Sequence, residues 1–163
     1  MKPELSGGVI YDLHIHDCDM IRWLFGEPKA FSAIAQSLAV HHDTAYFTYH
    51  YDNLPVVATA DWSLKGVIFH DGYTVGFEKA TVIYDTTGVT VYNREDGSAE
   101  KITLAPYGGI ESEIDYLVDC IEKGIEPEKN PPESSARTVA IAEAMIRSAD
   151  NGGRRIEFSE LNV

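Results

Sequence analysis

Basic residues, long apolar runs and cysteines are all scarce in this 163-residue chain, and each scarcity excludes a class of protein. Its 13 basic residues face 26 acidic ones, and the net charge of −13 argues against binding to nucleic acid or to an anionic membrane surface. No apolar run approaches the ~18–20 residues of a membrane-spanning helix, and the N-terminus lacks the apolar core of a secretory signal. The two cysteines, Cys18 and Cys120, stand far apart outside any CxxC pair, which favours a reduced cytoplasmic protein while a single disulfide stays open.

The order of the elements predicts an α+β protein. Residues 12–25 have a helical pattern that Gly26 and Pro28 end. From about residue 30 to 105, short segments rich in Val, Thr, Tyr and Phe alternate with turn sequences, which indicates antiparallel strands. Two helices follow, one over about 110–121 that Gly124 stops and one over 133–150, and "RRIEF" forms a closing strand. We therefore expect a single domain over 1–163, an open, mostly antiparallel sheet with helices packed on one face.

The stretch "YDLHIHDCD" at 11–19 concentrates carboxylates, histidines and a cysteine, and it can be interpreted in two ways. In a strand, His14 and His16 would share one side and resemble the metal-binding His-x-His pair of barrel hydrolases. That interpretation needs further ligands and a barrel of about 200 residues or more. No HxxE, HExxH or Cys/His spacing follows in this chain. The sequence therefore predicts no metal site here, and an HxH metal-dependent hydrolase stays the least favoured of the alternative functions.

In a helix, the same stretch places Asp12, His16 and Asp19 on one face at i, i+4 and i+7. Trp23 extends that face by one turn, and His14 would point about 160° away from Asp12. Leu13, Met20 and Leu24 would form an apolar stripe suited to the core. A carboxylate beside an imidazole can serve acid–base chemistry near neutral pH. The same pair can also simply stabilise the start of a helix, and the spacing leaves both roles open.

Residues 7–28 resemble the signature at the start of the C-terminal domain in the Gfo/Idh/MocA family, the glucose–fructose oxidoreductase and inositol dehydrogenase type enzymes. The positions that meet the family pattern are Gly7, Gly8, Asp12, His16, Asp19, Trp23, Leu24, Gly26 and Pro28. The Asp-Trp-Ser at 61–63, the last two helices and the closing strand are similar as well. The resemblance thus covers essentially the whole chain.

This resemblance implies an NAD(P)-dependent oxidation of a secondary alcohol on a sugar or cyclitol, or the reverse reduction. By position, His16 would be the acid–base residue or a close hydrogen-bond partner of the reacting hydroxyl, and Asp12 would orient the substrate and tune the imidazole. Asp19 completes the candidate substrate-binding set, although a structural role supporting the helix is expected for it. Tyr107 and the residues near Trp62 are further candidates for substrate contact.

The chain departs from the family pattern in what it lacks. It has no G-x-G-x-x-G after a strand and no βαβ alternation, the marks of the family's N-terminal Rossmann domain. The family's lysine in a Glu-Lys-Pro motif has no counterpart either, because "EKN" at 128–130 lies in a late loop. We therefore expect a C-terminal domain alone, which binds no NAD or NADP itself and is inactive without its nucleotide-binding domain.

A non-catalytic module is the alternative function. The strand "AYFTYHY" at 45–51 has aromatic residues on both faces, which suggests that neither face is fully solvated, although an ordinary core would give the same pattern. In the family the open face of the sheet packs against another subunit. Both hypotheses therefore predict a homodimer or higher oligomer through the sheet face.

Overall fold

The computed structural model describes residues 7–104, 108–161 and 163. The strands are β1 (Ala30–Gln36), β2 (Thr44–His50), β3 (Pro55–Asp61), β4 (Tyr73–Gly76), β5 (Ala80–Asp85), β6 (Gly88–Asn93), β7 (Ala99–Ile102) and β8 (Ile156–Glu157). The helices are α1 (Ile15–Phe25), α2 (Gly109–Lys123) and α3 (Pro132–Asp150). A π-helical turn, Ile10–His14, runs directly into α1, and a 3₁₀ turn, Phe158–Glu160, follows β8. The predicted α+β class is confirmed.

The chain divides into two compact units, Met1–Lys65 with Glu128–Val163 and Gly66–Pro127. The strands are shared between two four-stranded sheets, ordered β3-β2-β1-β8 in the first unit and β4-β5-β6-β7 in the second. Every strand pair within the described residues is antiparallel, which agrees with the predicted, mostly antiparallel pairing. Strand β7 is an addition that the sequence pattern did not indicate, because its "AEKI" is exposed throughout and has no apolar alternation. The expectation of one domain over 1–163 stays a prediction.

The core of the first unit lies between one face of its sheet and the helices α1 and α3. Alternate residues of β1 and β2 turn inward, and Phe31 stands opposite Tyr49 in the ladder between these strands. Both rings pack in a cluster with Ile141 and Met145 of α3. The helices of this unit therefore cover a single face of the sheet, as the α+β prediction requires.

Helix α3 buries polar as well as apolar residues. Ala142 and Met145 lie in the core, but Val139 is 41% exposed. Thr138 and Ser148 are buried instead. The Ser148 hydroxyl accepts the Ala33 N–H at 2.9 Å and donates to the Arg154 carbonyl at 2.6 Å. A polar residue faces the core here because its hydrogen bonds to the backbone offset its loss of hydration.

The second unit contains a small sheet and the amphipathic helix α2. A two-residue turn joins β5 to β6, and the Asp85 carboxylate accepts both the N–H and the hydroxyl of Thr87 at 2.7 Å. Helix α2 ends as predicted at Gly124, which has φ 65°, a conformation that favours glycine. Among the residues that the structure describes, no helix combines the length and the apolar content needed to cross a membrane.

Candidate functional site

The segment that carries the predicted site is helical over residues 10–25, so the helical interpretation of "YDLHIHDCD" is confirmed. Gly7 and Gly8 precede the π-helical turn with φ of 78° and 84°. A Cβ on Gly7 would lie 2.8 Å from Cδ2 of Tyr11, so a side chain there would clash as well as strain the backbone. Gly26 ends α1 with φ 77°, and its N–H donates to the Arg22 carbonyl at 2.8 Å. The backbone conformation therefore favours glycine at both ends of the segment.

The two predicted catalytic residues lie in different parts of this helical segment. Asp12 is half-buried in the π-helical turn, and its backbone N–H donates to the Gly8 carbonyl at 3.0 Å. His16 is exposed near the start of α1. Within the described residues, no hydrogen bond or ion pair joins the Asp12 carboxylate to the His16 ring. The His16 imidazole is accessible to a ligand.

Asp19, the third predicted residue, is held by the neighbouring helix. Its carboxylate accepts the Thr138 hydroxyl of α3 at 2.7 Å and lies 3.6 Å from Nη1 of Arg22. These contacts fasten α1 to α3. The Asp19 carboxylate therefore takes part in the packing of α1 against α3.

His14 lies in the core, away from solvent. Its ring stacks on Phe47, with the centroids 3.4 Å apart, and its Nε2 lies 2.8 Å from the Tyr49 hydroxyl. Its Nδ1 lies 3.4 Å from the Asp17 carboxylate. Burial lowers the pKa of His14, so the ring is neutral at pH 7. His14 and His16 therefore do not form the metal-binding pair that a strand would have produced, because one is buried with both nitrogens engaged and the other is exposed.

Arg22 is a buried arginine of α1 that the sequence did not indicate as part of this region. The Arg22 guanidinium donates from Nε and Nη2 to the Glu27 carboxylate at 2.9 and 2.5 Å. Its Nη1 donates to the Ser134 carbonyl at 2.9 Å and to the Thr138 hydroxyl. The Arg22 side chain is only 5% exposed. The one available signal was an arginine three residues after Asp19, at the spacing of a helical ion pair.

The predicted apolar stripe of α1 is wrong in part. Leu13 packs against the core, but Met20 is only half-buried and Leu24 is 46% exposed. The line that faces the core consists of Ile10, His14, Cys18 and Ile21. Two of these four residues are a histidine and a cysteine. A stripe defined by aliphatic residues alone therefore lies on a different side of the helix from the buried line.

Trp62 offers a donor with no partner. Its indole is partly buried against the core, and its buried Nε1 has no hydrogen-bond partner among the described residues. An unpaired buried N–H is uncommon and points to a missing partner. Tyr107, the other predicted substrate contact, lies outside the described residues.

Residues 1–88 match the family model of the GFO/IDH/MocA C-terminal domain. No curated protein matches the sequence. Among solved structures, the chain is similar to UDP-N-acetylglucosamine 3-dehydrogenase GnnA from Acidithiobacillus ferrooxidans, with a TM-score of 0.79 and 21% identity over 93% of this chain and 50% of that one. It is also similar to an aldose-aldose oxidoreductase from Caulobacter crescentus complexed with glycerol, with a TM-score of 0.76 and 22% identity over 96% of this chain and 49% of that one.

A third similar structure is the WlbA dehydrogenase from Bordetella pertussis in complex with NADH and UDP-GlcNAcA. Its TM-score is 0.69, with 18% identity over 92% of this chain and 47% of that one. At such identities the similarity shows a common fold and nothing further. The chain spans about half the length of each of these structures.

Proposed function

Because the chain belongs to the Gfo/Idh/MocA family, we propose that it is the substrate-binding part of an NAD(P)-dependent oxidoreductase acting on the CH–OH groups of sugars or polyols. The observation that carries the proposal is that His16 is exposed and lies inside the region that matches the family model. The helix that presents His16 also carries Asp19, which is hydrogen-bonded to α3. Three structurally similar proteins are named as a sugar-nucleotide dehydrogenase, an aldose oxidoreductase and a dehydrogenase bound to a sugar nucleotide. These names support a sugar or polyol as the substrate.

In this proposal His16 exchanges the hydroxyl proton of the substrate. Histidine suits the task because its ordinary pKa lies near neutral pH, so the ring can accept and return a proton there. The Asp12 carboxylate accepts a hydrogen bond from a substrate hydroxyl and so orients the sugar.

We place the dinucleotide outside this chain, and the strand pairing supports that assignment. A dinucleotide is bound where a glycine-rich turn joins a strand to a helix in a parallel βαβ unit, and every strand pair among the described residues is antiparallel. We therefore assign NAD or NADP to a separate nucleotide-binding domain and expect the 163-residue chain alone to be inactive. Both cysteines are free, buried thiols, which supports a reducing, cytoplasmic setting.

The test joins this chain to the nucleotide-binding domain of a Gfo/Idh/MocA enzyme and measures NAD(P) reduction with a panel of sugars and polyols. His16→Ala should lower kcat about 10²–10⁴-fold, the range for removal of a general acid–base group. Asp12→Asn should raise KM and lower kcat.

His70→Ala is the matched control, because His70 is an exposed histidine of the second unit and should leave the rate unchanged. Full activity in an Asp12→Ala, His16→Ala double variant would show that these roles are wrong.

A non-catalytic oligomerisation module is the second candidate function. The outer face of the first sheet favours it, because Ile34, Tyr46 and Val57 are 65%, 57% and 76% exposed there. Such a module would assemble through this face but give no sugar-dependent activity in the joined enzyme. The activity test therefore separates the two candidates, and oligomerisation alone does not.

A further inference from the structure

Two adjacent histidines and an aspartate from a distant part of the sequence meet at one end of the first unit. His41 and His42 lie in the loop between β1 and β2, and Asp150 is the last residue of α3. The Nε2 atoms of His41 and His42 lie 3.5 and 3.2 Å from the same oxygen, Oδ1 of Asp150. All three candidate ligand atoms lie within 4.8 Å of one another. Both imidazoles therefore converge on one carboxylate oxygen.

These separations match those between the ligands of a tetrahedral zinc ion. Zinc binds imidazole nitrogen at about 2.0–2.1 Å and carboxylate oxygen at about 2.0–2.2 Å, so two ligand atoms of a tetrahedral site lie roughly 3.3 Å apart. The observed 3.5 and 3.2 Å fall on either side of that value. The two imidazole nitrogens lie within 4.8 Å of one another, so the set closes around an ion when the exposed His41 ring turns toward it.

The loop that carries the two histidines is held in place by its own hydrogen bonds. The buried Asp43 carboxylate accepts the N–H groups of Leu38 and Ala39 at 2.9 and 2.6 Å. The His42 N–H donates to the Ser37 hydroxyl at 3.0 Å, and His42 has φ 49°, which is rare for a residue with a side chain. The His42 side chain is only 9% exposed and stacks on the His41 ring, with the centroids 3.7 Å apart. The direction of the His42 ring is thus set before any ligand arrives, and the exposed His41 ring stacks on it.

We propose that His41, His42 and Asp150 bind a divalent transition-metal ion, Zn²⁺ in the first place, with water in the remaining coordination position. Two imidazoles and one carboxylate are a ligand set that suits zinc. A simple ion pair would need only one histidine near Asp150, and it would leave the convergence of the second ring on the same oxygen unexplained. The chain's net charge of −13 also raises the local concentration of cations. The bound ion would tie the β1–β2 loop to the end of α3.

The test is a titration of ZnCl₂ into the untagged 163-residue chain after removal of metals with a chelator. We expect one equivalent of Zn²⁺ to bind by calorimetry and to raise Tm, because a ligand of the folded state stabilises it. Co²⁺ added in place of Zn²⁺ should give the intense visible absorption of a four-coordinate ion.

His41→Ala and Asp150→Asn change exposed side chains, so both variants should fold, and each should weaken Zn²⁺ binding roughly tenfold or more. His70→Ala is the control, since this exposed histidine lies in the other unit, and it should bind Zn²⁺ as the wild type does. The proposal would be overturned if the wild-type chain did not bind one equivalent of Zn²⁺. It would also be overturned if neither Asp150→Asn nor His41→Ala lowered the affinity for Zn²⁺. The result does not depend on the catalytic proposal, because no nucleotide or sugar is present.

Discussion

The two histidines of the signature segment, only two residues apart, have opposite environments. Residues i and i+2 of a helix point about 160° apart, so one of them faces the core when the other faces solvent. His14 is the inward residue, between Phe47, Tyr49 and Asp17, and His16 is the outward one. Burial lowers the pKa of the inward His14 ring and so favours its neutral form in the folded chain, whereas the outward His16 ring is exposed.

His14 should make the protein less stable as the pH falls below about 6.5, the ordinary histidine pKa in an unfolded chain. Burial lowers the pKa of His14 in the folded state, so below this pH the unfolded chain binds a proton that the folded chain excludes. The stability is complete above about pH 6.5 and is lost as the pH falls toward the folded-state pKa, by at most about 1.4 kcal/mol per pH unit.

Urea unfolding between about pH 5 and pH 7.5 measures this effect, and His14→Gln should reduce the pH dependence. His16→Gln is the control, because it changes an exposed histidine of the same helical segment. His42 and His50 also have lowered pKa values, so the difference between His14→Gln and wild type is the relevant quantity. An unchanged pH dependence in His14→Gln would contradict the assignment.

At the scale of elements, the attachment of α1 to α3 depends on polar contacts as well as on the apolar core. Arg22 reaches from α1 to the Ser134 carbonyl and the Thr138 hydroxyl at the start of α3, and Thr138 in turn donates to Asp19. Glu27, just beyond α1, holds the other side of the guanidinium. A buried arginine with all these partners fixes the orientation of α1, and hence the place of His16.

Arg22→Ala should lower the free energy of unfolding by about 1.5–3 kcal/mol, the range for lost hydrogen bonds to a charged group, since the Asp19 and Glu27 carboxylates that it leaves behind are 34% and 35% exposed. Arg137→Ala is the matched control. Arg137 lies 3.9 Å from the same Glu27 carboxylate but is 47% exposed, and its loss should cost less than about 1 kcal/mol. Chemical denaturation measures both values, and equal effects of the two substitutions would contradict a special role for Arg22.

At the scale of the whole molecule, the first sheet has one covered and one open face. Phe47 and Tyr49 of β2 are buried under the helices, whereas Tyr46 points to the open side. Ile34 stands opposite Tyr46 in the ladder, and Val57 of β3 lies on the same face. The aromatic strand is thus partly an ordinary core strand and partly the centre of an exposed apolar patch, which is typical of an interaction surface.

We expect this open face to form the homodimer contact. A Tyr46→Lys, Val57→Lys double variant should be monomeric, because two charges would lose their hydration in the interface. Light scattering after size exclusion measures the mass. Ile68→Lys is the control, as Ile68 is 89% exposed but lies in the second unit. A monomeric wild type, or a double variant that keeps the wild-type mass, would contradict the prediction.

The sequence was sufficient for the features that depend on neighbouring residues. The helical period and the glycines at 26 and 124 predicted α1 and α2 with their ends, since backbone conformation and capping act within a few residues. The alternation and turn residues predicted six of the strands in the same way. Asp12, His16 and Asp19 followed from spacing and from a family resemblance, and their catalytic roles stay predictions.

Only the tertiary structure decided which of the possible partners meet. Ring stacking of His14 on Phe47, the contacts of Arg22 with α3, and the meeting of His41 and His42 with Asp150 join residues that are distant in sequence. Local sequence patterns do not predict such pairs, because their proximity depends on how the sheet and the helices pack. A polar residue of the core also cannot be told from a surface residue until its hydrogen-bond partners are known. The sequence determined the helix that carries His16. The packing of that helix against α3 and the sheet determined that His16 faces outward and His14 inward.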